Sequence, residues 1–348
     1  MKNLANIAIL GASGYTGAEL VRLLARHPHV RIGAVTADRK AGEKYGEVFP
    51  HLAGLGLPDL VAVGDLNWDQ FDVIFCGLPH GTTQEVIAAI PRNKKIIDLS
   101  ADFRLRDLAA YEKWYGHPHR AVDLQGEAVY GLTEQYRKQI ATARLVACPG
   151  CYPTNALLPL TPLLEKKLIK TDSIIIDSKS GVSGAGRALK ESSLFTEVSE
   201  AMHAYGVANH RHAAELDQEL SKAAGTPILA SFTPHLIPMN RGMLSTIYVE
   251  LSAGGTAADI HAALSRRYDE TEPFVRILPL GETPATRHVR GTNHALIGVV
   301  ADRNAGRAII VSVIDNLVKG ASGQGVQNMN LMLGLDETAG LMQEALFP

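Results

Sequence analysis

The sequence has few cysteines, three in 348 residues. An odd, low count excludes the disulfide framework of a small secreted domain and fits a reducing, cytoplasmic compartment. No apolar run reaches the roughly 18 residues of a membrane-spanning helix. The opening Met1-Lys2-Asn3-Leu4 passes directly into a strand-like run that stops at Gly11, too short for a signal peptide. No block of one charge sign occurs. The net charge is -2 with both signs interspersed, so neither a nucleic-acid footprint nor a membrane-surface helix is expected. Internal repeats, low-complexity stretches and long linkers are also missing. What is present is 46% apolar residues, ample for a real core, at a length that suits two domains or one large one.

The first segment, NIAILGASGYTGAELVRLLARH, reads as strand, tight turn and helix. Ile7, Ile9 and Leu10 form the apolar run, Gly11, Gly14 and Gly17 follow in G-x-x-G-x-x-G spacing, and Leu20, Val21, Leu23 and Leu24 give a helical apolar face. Glycines let backbone approach a pyrophosphate, and amides at a helix start favour an anion; the plain alternative is a turn that needs small residues. Further strands are expected at 31–37, 71–79, 95–101 and 144–150, with a helix over about 82–90. Buried strands alternating with helices imply a parallel, doubly wound α/β sheet whose ligands sit at the carboxyl ends of the strands. After the second strand come Asp38, Arg39 and Lys40. Two cations against one anion favour the 2′-phosphate of NADP over a free ribose hydroxyl, unless the three merely form a solvated turn.

Cys148 and Cys151 stand in C-x-x-C spacing. A zinc site would need a second ligand pair, and neither Cys76 nor the histidines supply one. A dithiol redox pair belongs after the first strand of a thioredoxin-like unit, not after the fifth strand of a dinucleotide fold. Cys76 and Cys148 lie in apolar strands and read as buried small hydrophobes. Cys151 follows Pro149-Gly150 and precedes Tyr152-Pro153, which suits a first helical turn. A cysteine at a helix start, in the cofactor crevice, is a candidate nucleophile.

The C-terminal half holds SIIIDSKSGVSGAGRAL, a strand and a Gly/Ser loop from Ser180 to Gly186 that suits a cofactor or phosphate, or is an ordinary mobile loop. In GVANHRHAAELDQEL a helix is expected to begin near 210–213. His210 and His212, two apart, could not share its face, so only one would reach a thiol, and Glu215 could orient His212. Four strand-rich segments follow, with one helix over about 257–269, an α+β pattern. A nicotinamide cofactor, a cysteine nucleophile and a histidine base together oxidise an aldehyde or reduce an acyl group through a thioester.

The runs GASGYTGAELVRLLARHP, GLPHG, DLSADFRL, VACPGCYPT, SGVSGAGR, HRHAAE, PHLIPMNRGM and GASGQGVQNMNLMLG together resemble the N-acetyl-gamma-glutamyl-phosphate reductase family, in order from end to end. Broader relatives are the aspartate-semialdehyde and glyceraldehyde-3-phosphate dehydrogenases. The resemblance implies NADPH-dependent reduction of N-acetyl-glutamyl 5-phosphate to the semialdehyde in arginine biosynthesis, with Cys151 as thioacyl nucleophile. A histidine of HRH would be the acid/base, His210 ahead of His212. Arg104 and Arg241 would hold anionic parts of the substrate, and Glu215 would also contact it. Gly11, Ser13, Gly14, Tyr15, Thr16, Gly17, Arg39, Lys40, Leu78, Pro79, Ser180, Gly181, Ser183, Gly184 and Asn328 would contact NADP(H), and no metal is implied. One departure is Ala214, where the family often has proline. The family also implies a homotetramer. The expected architecture is a Rossmann-type parallel sheet over 1–150, completed by a C-terminal helix over about 321–348. An α+β catalytic and oligomerisation domain with a mixed sheet would span 151–320. Rival readings are the reductase of the one-methylene-longer N-acetyl-aminoadipyl phosphate or its carrier-linked form, in lysine biosynthesis, and a non-catalytic NADP-binding sensor.

Overall fold

Short aliphatic runs that are buried along their whole length, such as Val73–Cys76, can only be satisfied inside a sheet covered on both faces. The computed structural model describes residues 4–268 and 272–347. The chain divides into two compact units, one of residues 1–149 with 321–342, the other of 150–320 with 343–348.

The first unit holds a seven-stranded sheet. Its strands are β1 (Ala5–Leu10), β2 (Val30–Thr36), β3 (Leu60–Val61), β4 (Val73–Cys76), β5 (Lys95–Asp98), β6 (Val129–Tyr130) and β7 (Leu145–Ala147). The order is β3-β2-β1-β4-β5-β7-β6 and every pairing is parallel. This is the doubly wound α/β arrangement. The sequence pattern missed β3 and β6, which are two residues each and too short to show a period. The helix Gly323–Met332 closes this unit. It lies on the sheet, with Gly325 facing Phe75 and Ile97. Gln327 and Asn328 of the same helix bond to Glu134 and Thr133. The helix expected over 321–348 thus stops at Met332, and Leu346 N–H donates to Arg290 O within the second unit. Residue 348 lies outside the described residues, as do residues 1–3 of the expected opening.

The second unit is built on a mixed sheet of β8 (Ile175–Gly181), β9 (His203–Ala204), β10 (Ser231–Ile237), β11 (Met243–Glu250), β12 (Val275–Ile277), β13 (Ala295–Ala301) and β14 (Arg307–Ile314). The order is β12-β13-β14-β11-β8-β10-β9, with β8/β10 and β12/β13 parallel and the other pairs antiparallel. Burial alternates along β10 and β11, so one face is covered and the other half open. The helix Cys151–Glu165 packs on β11 and β14 and is itself covered by helices His212–Ala224 and Ala257–Tyr268. That explains a helix with almost no polar face. The helix expected to run to 269 is described to Tyr268, and its last position lies outside the described residues.

The glycine spacing has a steric cause within the first unit. A Cβ at Gly17 would lie 2.5 Å from Ala12 Cα and 2.6 Å from Gly11 O, so the helix Tyr15–Leu24 can approach β1 only with hydrogen at that position. Gly17→Ala is expected to lower unfolding stability by about 1–3 kcal/mol, read from urea midpoints. An unchanged midpoint would show that the helix start can retreat at no cost.

Candidate active site

In the first unit the glycine turn is held from β2. Gly11 N–H donates to Thr36 Oγ1 at 3.2 Å and Ala12 N–H to Thr36 O at 2.8 Å. Tyr45 O–H caps Ala12 O, and Ser322 O–H donates to Thr16 O. Gly11 has φ +73°, the left-handed region that favours glycine. Gly14 is the N-cap of helix Tyr15–Leu24, and no side chain caps it and no acid sits in the first turn. An added Cβ there would meet only Gly11 O, at an ordinary 3.5 Å. An open side over uncapped helical amides fits a phosphate group. Leu78 is half-buried and Pro79 exposed at the carboxyl end of β4. Arg39 stands exposed after β2, whereas Lys40 is paired with Glu43 at 3.0 Å. The balance of two cations against Asp38 is therefore reduced to Arg39.

Two expected contact residues face inward. Asn328 is fully buried, donating to Gly131 O and to Cys148 Sγ while accepting from Thr133. Arg104 is buried too. Its Nε donates to Cys148 O at 2.7 Å and its Nη2 to Leu99 O at 3.2 Å, which braces the ends of β5 and β7. Beside it lies Asp98, fully buried and unnoticed in the sequence, accepting from Ser100 N–H and O–H. Burial pushes its carboxyl up to about 7, with Asp102 adding to the shift and Ser100 and Arg104 opposing it. Burial likewise pushes Cys148 up to about 12 and Cys76 well above its ordinary value. Both thiols are inert, buried groups.

The second unit holds the nucleophile candidate. Cys151 is half-buried and is the first residue of helix Cys151–Glu165. The chain before it is gripped: Gly150 N–H donates to Glu215 Oε1 at 2.8 Å, and Gly150 O accepts from Thr154 N–H and O–H. The His212 ring fills the place of a side chain on Gly150, where a Cβ would lie 2.6 Å from Cε1 and closer still to Nε2. Glu215 thus binds the backbone beside the thiol, rather than serving only to orient His212. The two histidines do meet, with ring centroids 4.8 Å apart. The helix starts at His212, so His210 lies in the preceding turn, and the helical argument for separating them does not apply. His210 sits among Tyr152, Tyr205 and Phe232, and its Nδ1 accepts from His212 N–H. Burial, then Arg211, pulls its pKa down to about 4.

Tyr205 O–H donates to Tyr152 O–H at 3.0 Å, which in turn donates to His235 O. Tyr205 carried no sequence signal, being single and outside any motif. Ser180 and Gly181 are buried and Ser183 half-buried, with Gly184 exposed. Their loop is strapped down by Gly181, Val182 and Ser183 N–H bonds to Gly242, Met239 and Asn240, so it is no loose loop. Asn316 links Ser183 Oγ to Gly242 N–H. Arg241 lies on the same strap, 29% exposed, with Nη1 3.6 Å from buried Asp315. Among the described residues no group of three or more His, Cys, Asp or Glu could hold a metal ion, and no helix is long and apolar enough to cross a membrane.

Asp98 generates a test. Its folded pKa of about 7 lies above the ordinary value near 3.9. Between those limits the folded state binds more protons than the unfolded chain, so this group's contribution falls as pH rises and is flat above about 7. Asp98→Asn should therefore gain stability relative to the parent between pH 5 and pH 8, read from urea midpoints at both. A parallel shift of the two proteins would refute the raised value.

Comparison with known proteins follows the same division. Residues 6–143 match the semialdehyde dehydrogenase NAD binding domain, and residues 151–316 the semialdehyde dehydrogenase dimerisation domain. The chain is 61% identical to the N-acetyl-gamma-glutamyl-phosphate reductase of Afipia carboxidovorans, covering 98% of both. It is 60% identical to the probable chloroplastic N-acetyl-gamma-glutamyl-phosphate reductase of Oryza sativa, covering 98% of this chain and 82% of that one. The fold is shared with aspartate semialdehyde dehydrogenase II of Vibrio cholerae, at a TM-score of 0.70 and 17% identity, over 95% of this chain and 99% of that one.

Proposed function

Since the chain belongs to the N-acetyl-gamma-glutamyl-phosphate reductase family of semialdehyde dehydrogenases, we propose that it reduces N-acetyl-L-glutamyl 5-phosphate to N-acetyl-L-glutamate 5-semialdehyde and phosphate with NADPH, as a step of arginine biosynthesis. The observation that carries this reading is a thiol at the first position of a helix, with an imidazole one residue away. Helix-end amides favour the thiolate. Cys151 Sγ attacks the acyl carbonyl and expels phosphate, leaving a thioester. The nicotinamide, when bound, supplies hydride. His212 protonates the resulting thiohemiacetal oxygen and takes that proton back as the C–S bond breaks and the aldehyde leaves. His212 is preferred to His210, which is neutral at pH 7 and enclosed by aromatic rings, and which fixes the His212 backbone. Arg241, the more exposed of the two arginines, suits an anionic end of the substrate. Ser13 to Thr16, Leu78 and Pro79, and Ser180 to Gly184 remain the proposed cofactor contacts.

Assembly as a homo-oligomer is supported by the half-open face of the second sheet. Ile175, Tyr248 and Ile309 are in register across β8, β11 and β14, and Val300 of β13 continues the stripe. Ile175 and Tyr248 are 48% and 38% exposed in the single chain, large apolar groups that a second copy would cover. A reducing compartment suits the three free cysteines.

The deciding assay runs the reaction backwards. Semialdehyde and NADP should yield NADPH by absorbance only when phosphate or arsenate is present to resolve the thioester. Full-rate turnover with neither oxyanion would identify a hydrolytic aldehyde dehydrogenase instead. In the same assay Cys151→Ala should be inactive while still binding NADPH, and His212→Asn should be slower by ~10²–10⁴-fold, with a smaller loss for His210→Asn. Forward assays with the glutamyl and aminoadipyl phosphates separate the two chain lengths.

Cofactor choice is tested one cation at a time. Arg39→Ala should raise the Michaelis constant for NADPH and leave that for NADH unchanged, whereas Lys40→Ala should do little because Glu43 already engages that ammonium. Equal effects of the two variants would overturn the assignment to Arg39.

A further inference from the structure

We propose that Asp102, working with His80, is a positioning residue that sets the loop after β4 as one wall of the nicotinamide-cofactor site. The inference rests on the reading that the first unit binds NADP(H). The loop leaves β4 at Cys76, turns through Gly77 to Gly81 and enters helix Thr83–Ala89. Thr82, its N-cap, makes no side-chain cap. The loop's amides are satisfied instead from beyond β5. Asp102 Oδ1 accepts from Gly81 N–H at 2.9 Å, and Oδ2 from Thr83 N–H at 3.1 Å. The same carboxylate is in contact with His80 Nδ1. Its side chain is fully buried. Burial raises its pKa, but the bonds from His80, Gly81 and Thr83 outweigh that and hold it below the usual carboxylate range.

The carboxylate is itself anchored. Asp102 N–H donates to Ser100 Oγ at 3.1 Å, and Ser100 O–H to Asp98 Oδ2 at 2.9 Å, which ties the device to the end of β5. Its backbone carbonyl accepts from Gln84 and is 2.9 Å from His119 Nε2. On the other side, the His80 ring lies 4.3 Å from Tyr115 and is 21% exposed. The loop also touches the glycine turn directly. Gly77 N–H donates to Leu10 O at 2.9 Å, and a Cβ on Gly11 would lie 2.8 Å from Gly77 C. A shift of the loop therefore shifts the wall against which the glycine turn is packed.

An uncharged isostere cannot replace this carboxylate. Both oxygens face N–H donors, so an amide at position 102 must turn its NH₂ group toward a donor, either Thr83 on one side or Gly81 and His80 on the other. A buried donor left without an acceptor carries its full desolvation cost, and the loop would move to relieve it. No group of this device is a proposed reactant. Its loss should therefore appear in cofactor affinity and leave both the thiol and the chemical step alone.

The experiment titrates NADPH by nicotinamide fluorescence into the full-length parent, Asp102→Asn and His80→Gln. Thermal melts and the rate of iodoacetamide labelling of Cys151 without cofactor are measured on each. Asp102→Asn should weaken NADPH binding by about tenfold or more, and His80→Gln by a smaller factor. In both, kcat at saturating NADPH should stay within about twofold, and the labelling rate should match the parent. Unchanged dissociation constants, or a fall in kcat or labelling at unchanged affinity, would overturn the proposal. Should Asp102→Asn not fold, His80→Gln decides alone, and parent-like affinity there overturns it. A parent that binds no NADPH would instead remove the proposed function, a different result from variants that bind as the parent does.

Discussion

The whole arrangement around Cys151 depends on the missing side chain at position 150. His212 lies where a Cβ would stand, and Glu215, three residues further along the same helix, takes the Gly150 amide. One helix therefore contributes an imidazole and a carboxylate to the two sides of a single glycine, and the next residue is the half-buried thiol that opens another helix. The packing of helix on helix fixes the spacing of imidazole and thiol. It also accounts for the unusual apolarity of Cys151–Glu165, which is buried almost throughout. A helix enclosed on all sides holds its first residue in place.

Charge is handled differently in the first unit. The carboxyl ends of β4, β5 and β7 gather Cys76, Asp98, Cys148, Arg104 and Asp102 in a region from which water is excluded. Burial keeps the two thiols protonated, and it raises Asp98 to about 7, while Asp102 stays ionised because three donors converge on it. Two carboxyls four residues apart thus take opposite protonation tendencies from their surroundings. Arg104, a substrate contact by resemblance, also takes part in that internal electrostatics through the carbonyls of Leu99 and Cys148.

Much of this was legible in the chain. Apolar runs marked β1, β2, β4, β5 and β7, and close strand-rich segments marked the mixed sheet, because each has a period or a length to read. The place of Cys151 at a helix start was legible because Pro149, Gly150 and Pro153 mark a strand end and a helix start around it. The two-residue strands were not, and neither was Tyr205, whose importance comes only from meeting Tyr152 and His210 in space. The expectation that the two histidines could not share a face failed for a definite reason: the helix begins two residues later than its earliest expected start, so the i, i+2 rule did not govern the pair. Lys40 illustrates the same limit, since only the folded turn brings Glu43 to its ammonium.

The helix Gly323–Met332 has a consequence for synthesis on the ribosome. It covers Phe75 and Ile97, yet it is made after nearly all the rest of the chain, with the whole of 150–320 between it and the strands it completes. The nascent parallel sheet must wait with that face bare, while the second unit has its main stretch in one continuous run and can fold as soon as it emerges. The later-made unit can therefore fold over most of its length first, and the interval of greatest exposure for the first belongs to the time taken to translate its neighbour.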